Sequence, residues 1–267
     1  MLRGSQRTHE LIPASSLTTR PGYKNKRRRD GRMTITYATW VAGALGQPGK
    51  MPGPSYGLHA ALCHRGAELR QIPGSVCHGC YATRDFYETW GPVLVARDRR
   101  HGRPGRGEGI HHRDWVEAIV TLTEAWFRRW HNKNPDVSPF DRARARVFRW
   151  HDSGDLQGTW HLVKIAEVAR RLPDVSFWLP TREQDMVAEF LADGNEIPSN
   201  LTVRISADMV DQPPELRSEL TDFPTSTVHT GDPLGLVCRA LEKRSNKCGN
   251  CRACWDARVP VVSYPGH

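Results

Sequence analysis

Residues 146–206 read RVFRWHDSGDLQGTWHLVKIAEVARRLPDVSFWLPTREQDMVAEFLADGNEIPSNLTVRIS, and this stretch decides the fold. Three β-rich apolar runs, Arg146–Trp150, Val175–Leu179 and Leu201–Ser206, are separated by segments with apolar residues at helical spacing, Thr159–Leu172 and Glu183–Leu191. Strand and helix in strict alternation imply parallel βαβ units. TSTVHT (225–230) and VPVVSY (259–264) add two more candidate strands, giving a sheet of five to seven. The expected fold class is therefore α/β, one domain of alternating βα units forming a partial (βα) barrel or an open, mostly parallel sheet. In both, working residues gather at the carboxyl ends of strands. That directs attention to HDSGD (151–155), PTREQ (180–184), SADMVD (206–211) and HTGD (229–232).

Upstream, TITYATWVAGAL (34–45) reads as a first strand, followed by a Gly/Pro-rich loop, QPGKMPGPSYGL (47–58), that delivers the first cysteines. YATRDFYETWGPVLVARDRR (81–100) has helical spacing interrupted around Gly91 and Pro92, and His112–Trp130 forms a second amphipathic helix.

Composition narrows the class. The chain has 267 residues, 38% hydrophobic and 25% charged, a soluble globular balance with enough length for a substantial core. Its longest clean apolar stretch, Val41–Leu45, is far too short to span a bilayer, so no membrane partner is expected. The first 32 residues hold no apolar signal region, and the expected location is the cytoplasm. Those residues carry nine Lys and Arg against Glu10 and Asp30, a local charge of +7 out of a total of +9. Residues 1–32 thus read as a flexible basic arm suited to nucleic-acid phosphates, and 33–267 as the chemical domain. A second basic cluster, Arg97, Arg99, Arg100, Arg103 and Arg106, is a candidate lining for an anionic pocket.

Seven cysteines without an export signal favour metal ligation over disulfides. They divide into Cys63, Cys77 and Cys80, and a C-terminal motif (238–254) holding Cys238, Cys248, Cys251 and Cys254. The second group resembles a ferredoxin-type run around an iron–sulfur cluster, with a four-thiolate zinc site as the alternative. The first group leaves one coordination position open, as metal catalysis requires, or takes a histidine to complete a zinc site. At the strand end after RVFRW, Asp152 and Asp155 are candidate catalytic carboxylates, Asp155 also being placed to cap the next helix. No phosphate loop, dinucleotide fingerprint, nucleophile elbow or His-Glu-x-x-His helix is present in the sequence.

PSYGLHAALC (54–63), CHGCYA (77–82), VFRWHDSGDL (147–156), FWLPTRE (177–183), VRIS (203–206) and CGNCRACW (248–255) resemble, in that order, the phage-encoded gene product 88 family over about Gly49–Tyr264. The CYA segment and the strand-end Gly-Asp are also similar to a phage family related to radical S-adenosylmethionine enzymes. That resemblance implies one open four-iron four-sulfur cluster on Cys63, Cys77 and Cys80, and an auxiliary cluster on the last four cysteines. It places Ser153, Gly154 and Asp155 near the amino group of S-adenosylmethionine, and Arg204 and Ser206 near its carboxylate or ribose. The implied activity is radical chemistry on a nucleic-acid base or nucleotide. The spacing departs from the standard radical motif, with thirteen residues between the first two cysteines where that motif has three. The alternative is a zinc-stabilised nucleic-acid-binding phage protein without catalysis.

Overall fold

A computed structural model describes residues 26–83, 91–102, 109–240 and 247–266. Seven strands form one sheet: β1 (Ser55–Tyr56), β2 (Val147–Trp150), β3 (Ser176–Thr181), β4 (Leu201–Ser206), β5 (Thr225–His229), β6 (Leu236–Val237) and β7 (Val261–Pro265). Their order is β1-β2-β3-β4-β5-β7-β6, and every pairing is parallel. The first five strands follow sequence order, so crossovers of one hand lay their helices on a single face. This is an open, singly wound sheet rather than a closed barrel.

The helices are α1 (Ile35–Ala42), α2 (His64–Leu69), α3 (Gly91–His101), α4 (Trp115–Lys133), α5 (Pro139–Ala145), α6 (Thr159–Arg171) and α7 (Gln184–Ala192). Alternate strand residues Phe148, Trp150, Phe177, Leu179, Val203 and Ile205 point to the helical face. There they form one core with Val41 of α1, Ile119 of α4, Leu162 and Ile165 of α6, and Val187 and Phe190 of α7. A period of two on the strands meets a period of 3.6 on the helices, which is how sequence becomes a dry interface.

The opposite face carries Val147, Arg149, Trp178, Thr202, Arg204 and Tyr264, and among the described residues no α-helix packs on it. Strands β3 and β7 are three strand spacings apart, about 14 Å in a flat sheet. Yet the rings of Trp178 and Tyr264 stack with centroids 6.4 Å apart, so the sheet curls towards this face. Arg149 lies over the Trp178 ring at 4.6 Å. The concave surface is covered by Met51 and by the short turn Ala253–Trp255.

Within residues 34–45, expected as strand, Ile35–Ala42 form the helix α1. The Thr34 hydroxyl caps it by accepting from the Tyr37 amide at 3.2 Å, and Gly43, at φ +74°, ends it. The β-branched residues that suggested a strand lose to tertiary packing: Tyr37, Ala38, Val41 and Ala42 form a helical stripe buried against α4. Residues 1–25 of the basic arm lie outside the described residues, as do Arg103, Arg106 and residues 84–90. The arm's last residues, expected to be flexible, are held in place: Arg27 bridges to Met33 and pairs with Glu117 of α4 through both terminal nitrogens, at 2.8 and 2.9 Å. Among the described residues, no helix is long and apolar enough to cross a membrane.

His151 and His161 are buried side by side, with ring centroids 5.6 Å apart. Burial holds both below the usual histidine range, His151 at about 4 and His161 well below. Their folded-state values lie below the unfolded value, so the stability of keeping them neutral is complete above pH 6.5 and lost as pH falls. His151 should lower the unfolding free energy by about 1.4 kcal/mol per pH unit between about 6.5 and 4.5, and His161 acts in the same direction. Denaturant unfolding over that window should show a His161→Phe variant losing its share of the slope; an unchanged slope would contradict the burial reading.

Candidate functional site

The site begins where β1 and β2 end together. Leu58 and Ser153 exchange main-chain contact through the Leu58 amide (2.8 Å), and the Ser153 hydroxyl also donates to the Leu58 carbonyl at 2.8 Å. The approach is so close that a Cβ on Gly57 would stand 1.9 Å from Asp152 Oδ1, and one on Gly154, at φ +76°, 2.8 Å from Leu58. Glycine is required at both positions. His151 turns the chain with φ +51°, a left-handed conformation rare for a residue with a side chain.

Asp155 does not cap α6, whose N-cap position is Gly158. Its carboxylate instead ties β2 to β3. Oδ1 accepts from the Leu156 amide (2.8 Å) and the Thr181 hydroxyl (2.6 Å), and Oδ2 from the Arg182 amide (3.0 Å). Asp152 is held more loosely: Oδ2 accepts from the Ser55 hydroxyl at 3.1 Å, while buried Oδ1 has no partner among the described residues.

From Leu58 the chain makes a turn at 60–62, reaches Cys63 and enters α2. The amides of His64 and Arg65 donate to the Glu183 carboxylate at 3.2 and 3.0 Å, fixing Cys63 beside the end of β3. Cys77 arrives by a second route. Ser75 bridges antiparallel to Met209, and the Val76 amide donates to the Asp208 carbonyl, both beyond the end of β4. Arg65 binds Asp208 at 2.7 and 3.0 Å and so closes the rim. The two routes converge at Gly66, where an added Cβ would meet Cys63 Cβ at 2.9 Å and the Sγ atoms of Cys63 and Cys77 at 3.6 and 3.7 Å.

Burial pushes the Cys63 thiol far up, and Asp155, Cys77 and Cys80 act in the same direction. Cys77 is also raised by burial, with the Arg182 guanidinium opposing. Glu183 is raised to about 7 by burial and then by Asp155, against the two amides that stabilise its anion. Three thiols and three carboxylates, those of Asp155, Glu183 and Asp208, thus crowd the carboxyl edge of β2–β4, a concentration of acidic groups that favours a cation. All seven cysteines are unpaired. Among the described residues, no three His, Cys, Asp or Glu side chains stand in ready metal-holding geometry.

The C-terminal cysteines form a separate group. Cys248 and Cys254 are both raised by burial, Cys254 to about 12, and both are raised further by Cys238. Cys254 Sγ lies 3.2 Å from the Tyr264 hydroxyl on the concave face. This segment is stitched down by Arg204, expected beside a cofactor carboxylate or ribose. Fully buried, its terminal nitrogens donate to the carbonyls of Thr225, Val259, Ala253 and Asp256 at 2.8–3.1 Å. Arg204 is therefore a clamp on the main chain, its ligand-binding fork already spent. Ser206, expected nearby, is buried and accepts from the Ser226 hydroxyl at 3.1 Å. Arg100, expected in an anionic pocket, is likewise buried and donates to the carbonyls of Ala44 and Gly57.

Sequence reading missed Glu183, Asp208, Arg65 and Gly66 as parts of the site. Glu183 and Asp208 stood in the strand-end segments singled out, but nothing in their spacing tied them to Cys63 and Cys77. Inside a helix, Gly→Ala ordinarily stabilises by up to about 1 kcal/mol. Gly66→Ala should instead destabilise, because Cys63 must shift; urea denaturation showing a gain would refute the close packing.

Compared with known proteins, residues 22–257 match the family model described as gene product 88. No curated protein and no solved structure matches the chain. With the match covering most of the sequence, and its cysteines and strand-end loops inside it, the chain belongs to the gene product 88 family.

Proposed function

We propose that the protein is an iron–sulfur enzyme of radical S-adenosylmethionine type acting on a nucleic-acid base or nucleotide. The observation that carries this reading is the convergence of Cys63 and Cys77 on Gly66, with Cys80 in electrostatic reach, at the carboxyl edge of a singly wound parallel sheet. Three thiols leave a cluster one open position, which is where S-adenosylmethionine would bind. The donor set fits such a group, since Gly66 lets α2 pack closely against Cys63 and so brings two of the three thiols together. A four-iron four-sulfur cluster there, given one electron by an external reductant, supplies cleavage of a carbon–sulfur bond in S-adenosylmethionine.

The remaining chemistry belongs to the chain. Cys63, Cys77 and Cys80 release their protons when they become ligands, so loading is favoured by rising pH. The guanidinium of Arg182 offsets the negative charge gathered at Cys77. Asp155 has four lone-pair directions, of which three are filled, and the remaining one on Oδ2 is available to an ammonium group. Ser153 and Gly154 hold that carboxylate at its distance from β1. Cys238, Cys248, Cys251 and Cys254 would hold an auxiliary cluster against the concave face. A second reading, zinc in either group within a nucleic-acid-binding protein, is favoured by the way Arg204 and Trp255 fasten the C-terminal segment as a structural staple.

Protein purified without oxygen should be brown, with about four irons and four sulfides per cluster. The combined Cys63→Ala and Cys77→Ala variant should lose one cluster's worth of iron, while Cys248→Ala with Cys251→Ala should lose the other. Reduced wild type should release 5′-deoxyadenosine from S-adenosylmethionine. Colourless protein with stoichiometric zinc would establish the second reading in its place.

A further inference from the structure

Three guanidiniums act on the thiols of Cys248 and Cys254, those of Arg252, Arg204 and Arg149. Two of them are spent on the main chain. Arg204 donates to four carbonyls, and Arg252 donates to those of Arg144, Gly249 and Cys251 at 2.7–2.8 Å. Arg149 has no such outlet. It stands on the concave face in register with Trp178 across β2 and β3, its guanidinium carbon 4.6 Å from the centre of that ring. Among the described residues its side chain meets neither a carboxylate nor a carbonyl. One terminal nitrogen donates to the Met51 thioether at 3.3 Å, and the buried Nε has no partner among the described residues. A thioether is a weak acceptor, so this half-buried cation is left nearly uncompensated.

The neighbours of this cation are the C-terminal cysteines. The Cys248 amide donates to the carbonyl of Lys50, next to Met51, at 3.0 Å, and Cys254 and Met51 pack against the same cluster of Val147, Trp178 and Trp255. Cys254 Sγ is 3.2 Å from the hydroxyl of Tyr264, whose ring stacks on Trp178. Arg149 favours the anionic form of Cys248 and of Cys254 alike. Neutral thiols offer it little to pair with, whereas thiolates around a metal carry net negative charge and their sulfurs accept hydrogen bonds. The orphaned Nε and the set of soft sulfur donors therefore fit an anionic metal–thiolate group. We propose that Arg149 is a positioning residue for the group held by Cys238, Cys248, Cys251 and Cys254, serving as its counter-charge and hydrogen-bond donor while Trp178 and Met51 hold the guanidinium in place. The proposal rests on the reading that these cysteines hold a metal, and it applies equally to an iron–sulfur cluster and to zinc.

Challenge of the full-length, metal-loaded protein with EDTA tests it, in a Cys63→Ala, Cys77→Ala background that leaves metal in the C-terminal group alone. Arg149→Gln should lower the EDTA concentration that removes half of this metal by about 10- to 100-fold. Arg149→Lys, which keeps the charge, should restore most of the loss, and Arg149→Met, which keeps only the stem over Trp178, should not. Retention equal in every variant, or rescue by Met as complete as by Lys, would overturn the proposal. A role in packing alone would not move the second readout, urea unfolding with and without the cysteines. Arg149→Gln should lower the midpoint of the metal-loaded protein. Beside Cys248→Ala and Cys251→Ala, where the cation has lost its partner, it should leave the midpoint unchanged or raise it. The same lowering in both would reduce Arg149 to packing on Trp178 and overturn the proposal. Metal content as high in the Cys248→Ala, Cys251→Ala protein as in wild type would instead overturn the underlying reading that these cysteines hold a metal.

Discussion

The carboxylate of Asp155 is the constraint on which the site depends. By accepting from Leu156, Thr181 and Arg182 it joins the carboxyl ends of β2 and β3. Glu183, two residues beyond Thr181, can then receive the first amides of α2 and so hold Cys63. Losing the Asp155 anion would leave the Arg182 amide and the Thr181 hydroxyl without their acceptor, a cost of about 1–3 kcal/mol for each buried group. Burial raises the nearby thiols of Cys63 and Cys77, and the Asp155 charge adds to that in the same direction.

The concave face works by a different logic. A curled sheet with helices on one side must cover its other side, and here the cover is Met51, Trp255 and the cysteine-bearing segment rather than a second layer of helices. Burying the Arg204 guanidinium is tolerable because four carbonyls receive it, and those carbonyls in turn fix the segment's path. Of the C-terminal cysteines, Cys254 thus packs against the concave-face cluster, whereas Cys63 and Cys77 sit at the edge where strands give way to loops.

Much of the fold was legible in the sequence, because β2 to β5 and α6 to α7 are long enough to show their periods. The strands β1 and β6, two residues each, fall below any periodic signal. The helix α1 was misread because its Ile, Thr, Tyr and Val favour strands locally, while a Thr cap and packing against α4 decide otherwise. Cys63, Cys77 and the Ser-Gly-Asp turn lie at the carboxyl edge of β2–β4, the edge to which the strand–helix alternation directed attention. Arg204 shows what spacing cannot tell: an arginine on a strand looks the same in sequence whether its fork faces a ligand or four carbonyls. Likewise, the partnership of Glu183 with α2 joins residues more than a hundred positions apart.

The most direct test of one open metal centre at Cys63, Cys77 and Cys80 is the electron paramagnetic resonance spectrum of dithionite-reduced protein with and without S-adenosylmethionine. The predicted result is an iron–sulfur signal that changes on adding S-adenosylmethionine and ceases to respond in Cys77→Ala. A signal indifferent to S-adenosylmethionine, or no iron signal in protein holding zinc, would contradict it.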